Sequence, residues 1–236
     1  MTRRRWIADR ISGDEALLLG KNAEHLSRVL RARVGQQFEL ATPTGVRLGK
    51  IVDIQPDRVV FSTTELPHME AERASTKIHI YLAVFKFDRF EWAVEKCTEL
   101  GASSIVPLIA GRTDAHLAAA AQKRVERWRR VAHEAAQQSR RDSVPHIANP
   151  EKLEKAISAA AGYCIVLAEN EREHNLRDVL DQSPELSLAV GPEGGWTEPE
   201  LGFFREHKWI AASLGNSILR AETAAIAALA IAQAFS

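Results

Sequence analysis

Leu186-Ser-Leu-Ala-Val190, followed without a break by Gly191-Pro192-Glu193-Gly194-Gly195-Trp196-Thr197-Glu198-Pro199-Glu200, is the stretch whose reading decides the fold. The short apolar run has the character of a buried strand in a parallel sheet. Three glycines in the next five residues mark a loop that needs positive φ or a close backbone approach to a ligand. Thr197 and Glu200 have the spacing of a capping box, so a helix opens there and runs to about His207. Strand, glycine loop and capped helix make a unit of an α/β fold, and in open α/β sheets ligands bind beyond the carboxyl ends of strands, at such loops. No GKS or GKT follows and the spacing is not GxGxxG, which disfavours the phosphate-cradling nucleotide motifs. A tight turn without a ligand stays open on this reading.

The same alternation continues on both sides. Downstream, Trp209–Leu214 is expected as a strand and Ala221–Phe235 as a helix that is apolar nearly all round (Ala224, Ile226, Ala228, Leu229, Ile231, Phe235). Such a helix is deeply buried or forms a subunit interface, and its small residues favour a homodimer. Between them lies Leu214-Gly215-Asn-Ser-Ile218-Leu219-Arg220-Ala-Glu222-Thr223. A charged pair, Arg220 and Glu222, at the head of so apolar a helix is either paired or used, because buried charge is costly otherwise. Upstream, strands are expected at Lys77–Val84, Ser104–Ile109 and Tyr163–Leu167, with a long helix or helix pair over Ala115–Gln138. Asp88–Leu100 is an amphipathic helix with Phe90, Ala93, Val94, Cys97 and Leu100 on one face, Asp88 and Glu91 as a capping box and Gly101 as its stop. The expected class is α/β with a mostly parallel sheet.

Before Lys77 the pattern differs. Val34–Leu40, Val46–Ile54 and Arg58–Thr64 read as strands separated by turns at Thr42–Gly45 and Gln55–Asp57, after a short helix over Asn22–Leu30 with Asn22 as its N-cap. Short strands at this spacing suggest a small barrel. Leu66–Ser75 is the natural linker, which divides the chain into domains over 1–72 and 73–236.

At 236 residues, 45% apolar and 26% charged, the composition is that of an ordinary globular protein. The longest apolar run, Ala224–Ala232, is nine residues, short of the roughly 18 that a membrane helix needs. No apolar stretch follows the basic start, so the expected compartment is the cytoplasm. Cys97 and Cys164 form no CxxC pair and read as small core residues, and eight scattered histidines give no metal-ligand spacing. The net charge is zero, yet residues 1–33 hold eight Lys/Arg against four acids and residues 112–141 hold eight against three. Two basic blocks in a neutral chain suggest local phosphate-binding surfaces, with solvated faces as the alternative.

GPEGG after a strand, then LGxxILRAETA some twenty residues on, resembles the signature of the RsmE-type 16S ribosomal RNA uridine-N3 methyltransferases of the SPOUT superfamily. Three further blocks in order extend the likeness over nearly the whole chain: His25-Leu-Ser-Arg28-Val-Leu-Arg31; Lys86 with Glu91-Trp-Ala-Val-Glu-Lys96-Cys-Thr-Glu99-Leu-Gly101; and Glu134-Ala-Ala-Gln-Gln138-Ser-Arg140 with Pro145. Phe87, Thr113 and Gln137 depart from the family pattern.

The resemblance implies a SPOUT domain with a parallel sheet and deep trefoil knot behind a PUA-like RNA-binding β-barrel. It implies S-adenosylmethionine held in the knot by Leu167, Ala168 and Glu169, by Gly191, Pro192, Glu193, Gly194 and Gly195, and by Leu214, Gly215, Ile218, Leu219 and Arg220. It also implies a homodimer through the C-terminal helix and knot region, acting on 16S ribosomal RNA or the assembled small subunit. In such a reaction a cation near O2 or O4 stabilises the uridine anion as N3 loses its proton. Arg220 is the expected cation and Glu222 a candidate base, with no side-chain base as the alternative. Arg3, Arg5, His25, Arg28, Arg31, Lys86, Arg140 and Arg141 are the expected RNA contacts, and Lys123, Arg127 and Arg130 share a helix face that either extends them or is simply solvated. A SPOUT enzyme for another RNA or base and a non-catalytic RNA-binding protein of the same fold are the rival readings. A phosphate-ester hydrolase ranks last, for want of a metal cluster or nucleophile–base pair.

Overall fold

The computed structural model of the chain describes residues 5–42, 45–65 and 76–235. It divides into two compact units, Met1–Ala71 with Ala136–Val144, and Glu72–Ala135 with Pro145–Ser236. The expected linker over 66–75 and part of the expected turn at 42–45 lie outside the described residues.

The first unit carries β1 (Trp6–Ile7), β2 (Arg10–Ser12), β3 (Glu15–Leu19), α1 (Gly20–Glu24), a π-helical turn over His25–Val29, β4 (Gln37–Thr42), β5 (Gly45–Ile54) and β6 (Arg58–Glu65). The strands form one open sheet in the order β1-β4-β5-β6-β3-β2, antiparallel except where β1 meets β4. Trp6, Leu18, Leu26, Leu40, Ile51 and Phe61 are fully buried on it. The helix expected from Asn22 to Leu30 is broken into two forms, and Asn22 does not cap it. The chain enters α1 directly from β3, with extended Leu19 at the cap position and no side-chain cap bond. The Gly20 N–H is satisfied instead by the Asp57 carbonyl at 2.8 Å. After Glu24 the turn widens, and Leu30 N donates five residues back to the His25 carbonyl at 2.9 Å.

The second unit carries β7 (Lys77–Ala83), α2 (Phe87–Glu99), β8 (Ser104–Ile109), α3 (Ala115–Gln138, whose last turn groups with the first unit), β9 (His146–Ile147), β10 (Glu151–Lys152), α4 (Leu153–Ser158), β11 (Tyr163–Leu167), α5 (Leu176–Val179), β12 (Glu185–Val190), α6 (Glu198–Glu206), β13 (Ile210–Ala212) and α7 (Ala221–Phe235). Seven strands, every pair parallel, follow the order β10-β8-β7-β12-β11-β13, with β9 also on β8. This is the expected α/β class. β12 lies between β7 and β11, and Leu186–Val190 are all buried, which is why the run needs no polar alternation.

α2 buries the expected stripe of Phe90, Ala93, Val94 and Cys97. Its expected cap fails: the helix starts one residue earlier, at Phe87, and no side chain caps it. Phe87 packs against Trp128 with ring centroids 6.1 Å apart, which draws it into the first turn and leaves Asp88 to complement the helix dipole. Gly101 ends the helix as expected, at φ +99°, and a Cβ there would meet Gln233 Nε2 at 2.7 Å. Burial pushes the Cys97 thiol up to about 12, so it is protonated at neutral pH and no nucleophile.

Candidate functional site

The loops that leave β11, β12 and β13 at their carboxyl ends enclose a cavity of about 510 Å³. That is ample for a small-molecule cofactor. Leu167, Ala168, Glu169, Gly191, Pro192, Glu193, Gly194, Gly195, Leu214, Gly215, Ile218, Leu219 and Arg220 all line it. Arg112, Arg172 and Trp196 line it as well.

The loop after β12 is heavily supported. Trp196 is buried beneath Gly191, and its Nε1 donates to the Leu167 carbonyl at 2.8 Å, tying this loop to β11. A Cβ on Gly191 would stand 3.2 Å from the Trp196 ring, so this glycine supplies space. Arg112 Nη1 donates to the carbonyls of Gly194 at 2.6 Å and Trp196 at 3.2 Å. The capping box is fully formed: Glu200 Oε2 accepts from the Thr197 N–H at 2.7 Å and hydroxyl at 2.8 Å, and Thr197 Oγ1 accepts from Glu200 N. The other oxygen of the buried Glu200 carboxylate accepts from Gly111 N at 2.6 Å, so the loop is also fixed to the one after β8.

The loop after β13 differs. Among the described residues, 214–219 take part in no hydrogen bond, and Ile218 is 78% exposed. Arg220 is exposed immediately before α7, while Glu222 is buried on its first turn. The two do not pair with each other. The partner of Glu222 is Arg89, whose Nε lies 3.8 Å from Oε1 and whose Nη1 donates to Glu193 Oε1 at 2.6 Å. Glu222 Oε2 is buried with no partner among the described residues. Sequence reasoning passed over Arg89. The available signal was its place: a cation in the first turn of a helix opposes the dipole there and needs a carboxylate nearby.

The basic residues expected to contact RNA are placed as follows. Arg3 lies outside the described residues. Arg5 is engaged within the first unit, its Nε 3.2 Å from Glu39 and its Nη1 donating to Asp142 and, at 2.6 Å, to the Arg140 carbonyl. Arg28 and Arg31 are exposed on and just after the π-helical turn, and half-buried His25 packs on Trp6 with centroids 5.8 Å apart. Arg140 is exposed with φ +60°, and Arg141 is half-buried, its guanidinium held below the usual arginine value by desolvation. Lys86 is exposed at the head of α2. On α3, Lys123 and Arg130 are exposed, whereas Arg127 meets Glu91 at 3.1 Å and Arg124 covers the Phe87 ring at 4.7 Å. Among the described residues no group of three or more His, Cys, Asp or Glu could hold a metal ion, and no helix is long and apolar enough to cross a membrane.

Residues 72–233 match the family model of the RNA methyltransferase domain. The chain belongs to this family. The RNA methyltransferase is 31% identical to the ribosomal RNA small subunit methyltransferase E of Mycobacterium bovis, over 92% of this chain and 86% of that protein. It is 33% identical to the Synechocystis protein of the same name, over 87% of this chain and 68% of the relative. The crystal structure of a ribosomal RNA small subunit methyltransferase E from Neisseria gonorrhoeae, bound to S-adenosyl methionine, superimposes with a TM-score of 0.86 at 27% identity, covering 98% of this chain and 97% of that one.

Proposed function

We propose that the protein transfers a methyl group from S-adenosylmethionine to N3 of a specific uridine in 16S ribosomal RNA of the small subunit, in the cytoplasm. The observation that carries this reading is the cavity at the three strand ends, lined by every residue that the family resemblance assigns to the cofactor. The site fits such a group. Gly191, Gly194 and Gly195 leave a floor of bare backbone, and Trp196 and Arg112 hold that floor from below and from the side. Leu167–Glu169, Gly191–Gly195 and Leu214–Leu219 would hold the cofactor, largely through backbone groups. When bound it supplies an electrophilic methyl on a sulfonium.

The protein's own part is then to position the uracil ring and help N3 lose its proton. The N3 electron pair forms the new bond to carbon, the bond from carbon to sulfur breaks with its pair going to sulfur, and the N3 proton leaves to a base or to water. Arg220, exposed at the rim, stabilises charge on O2 or O4 as it develops. The acceptor is water or Glu222, which lies buried beside Arg89 and not among the residues that line the cavity.

The strand order supports a trefoil knot. β13 lies outside β11, yet α7 returns to pack on α2, β7 and β12. Half-exposed Phe235 and the apolar composition of α7 support a homodimer through that helix. The open, mostly antiparallel sheet of the first unit, with exposed Arg28 and Arg31, supports a PUA-like RNA-binding role for residues 1–72.

The test is methyl transfer from radiolabelled S-adenosylmethionine to 16S RNA and to small subunits from a strain lacking this protein, followed by identification of the modified nucleoside. N3-methyluridine establishes the reading, and label in another nucleoside removes the uridine assignment. Arg220→Ala is expected to lower turnover at least about 100-fold, as loss of an oxyanion-type donor does, with cofactor affinity nearly intact. Unchanged turnover removes Arg220 from the mechanism.

A further inference from the structure

The geometry points to Arg89 as a positioning residue for methyl transfer, one that fixes the head of α7 to the glycine loop by holding Glu193 and Glu222 on a single guanidinium. The inference rests on the methyltransferase reading above. Arg89 sits on the first turn of α2, at the carboxyl end of the sheet, with Nη1 2.6 Å from Glu193 Oε1 and Nε 3.8 Å from Glu222 Oε1. Among the described residues no other hydrogen bond or ion pair joins 191–197 to 213–224. The two loops that line the cavity therefore share one polar link, supplied by a third element.

Glu222 makes that link consequential. Its side chain is only 6% exposed, and its second oxygen has no partner among the described residues. A buried carboxylate is costly without a countercharge, so Arg89 sets where this one rests. Glu222 follows Arg220 by two residues, so a shift at the head of α7 also moves the rim cation. A planar guanidinium holds its donors in one fixed plane and sets the direction of both carboxylates, a geometry that a lysine ammonium on a flexible stem does not impose. The first loop keeps its other supports without Arg89. In the second, residues 214–219 make no hydrogen bond among the described residues, and their geometry is what the substitution would lose.

The experiment measures kcat and KM for the RNA, cofactor affinity by calorimetry and thermal unfolding for wild type, Arg89→Lys, Arg89→Ala, Glu193→Gln and the double variant Arg89→Lys/Glu193→Gln. Arg89→Lys is expected to unfold close to the wild-type temperature yet lose about 100-fold in kcat, the scale of a misplacement of about 1 Å, with KM and cofactor affinity within about threefold. The double variant is expected to be no slower than Arg89→Lys alone, because both changes break one link. Wild-type kcat in Arg89→Lys, a loss confined to cofactor affinity, or losses that multiply in the double variant each overturn the proposal. If Arg89→Ala does not fold, the Lys and Gln variants decide the matter. A wild-type protein that methylates no ribosomal RNA overturns the methyltransferase reading and this proposal together, whereas an active wild type beside an unaffected Arg89→Lys overturns the proposal alone.

Discussion

Two loops of the same sheet, both rich in small residues and both leading from a strand into a helix, are built in opposite ways. Residues 191–197 are braced by Trp196 on the Leu167 carbonyl, Arg112 on two carbonyls and Glu200 on the Gly111 N–H. Residues 214–219 have no comparable support among the described residues. Their glycines differ in kind too. At Gly191 the constraint is space, since a Cβ would press on the Trp196 ring; at Gly215 it is backbone conformation, since φ is +107° and a Cβ would meet nothing within 4 Å. The first loop is a preformed wall of the cavity. The second is a wall that no hydrogen bond supports among the described residues, anchored at Ser213 before it and through Arg89 on Glu222 after it. A transferase gains from that division: a rigid wall orients the donor, while a pliable one admits and releases it.

The largest expected effect comes from breaking the rigid side. Trp196→Ala removes a buried indole, its bond to Leu167 and its T-shaped contact with Phe204 at 5.0 Å. It should destabilise the protein by about 4 kcal/mol, the usual scale for deleting a buried aromatic side chain. The measurement is urea unfolding. A cost below about 1 kcal/mol would mean that the other ties support the wall without the indole, and the contrast would lose its main prop.

A smaller effect separates the two glycines. Gly215→Ala strains a left-handed residue in open space and should cost about 1 kcal/mol. Gly191→Ala leaves a backbone that alanine tolerates, but its methyl must displace the Trp196 ring from 3.2 Å. Its signature should be weaker cofactor binding with little strain elsewhere. Calorimetric titration of both variants checks this, and equal losses of affinity would erase the distinction between space and conformation.

Much of this architecture was legible in the sequence, because periodicity and turn chemistry report local structure. The buried run at 186–190, the stripe of Phe90, Ala93, Val94 and Cys97, and the capping box at Thr197 and Glu200 are all local patterns, and each is present. The failures come where tertiary contact overrides local preference. Asn22 has cap chemistry, but Asp57 already serves the start of α1; Asp88 has the spacing, but packing on Trp128 moves the helix start to Phe87. β1 and β2 went unread because strands of two and three residues carry too little alternation to be seen, and β3 because its Ala16-Leu-Leu-Leu19 run is made of helix-forming residues with no polar alternation, even with Gly13 turning the β2–β3 hairpin. In the site the strand-end loops could be found by motif, whereas Arg89 and Arg112 are defined by partners some 80 to 130 residues away in sequence. No local pattern encodes such a pairing.

The smallest effect on stability, and the sharpest test of the pliable side, is at Ile218. Its side chain lines the cavity yet is 78% exposed, on a segment that makes no hydrogen bonds among the described residues. An isolated exposed isoleucine contributes little to folding, so Ile218→Ala should change stability by no more than about 0.5 kcal/mol. If the loop closes over the bound cofactor, the same side chain becomes buried in the complex. The roughly 1.4 kcal/mol gained from burying part of its aliphatic surface would then be missing from binding alone, a loss of about tenfold in affinity. Unfolding and calorimetry on one protein preparation measure both quantities. A variant that binds S-adenosylmethionine as tightly as wild type would show that Ile218 stays in solvent throughout, leaving the second loop to its anchors at either end, Ser213 on His174 and Arg89 on Glu222.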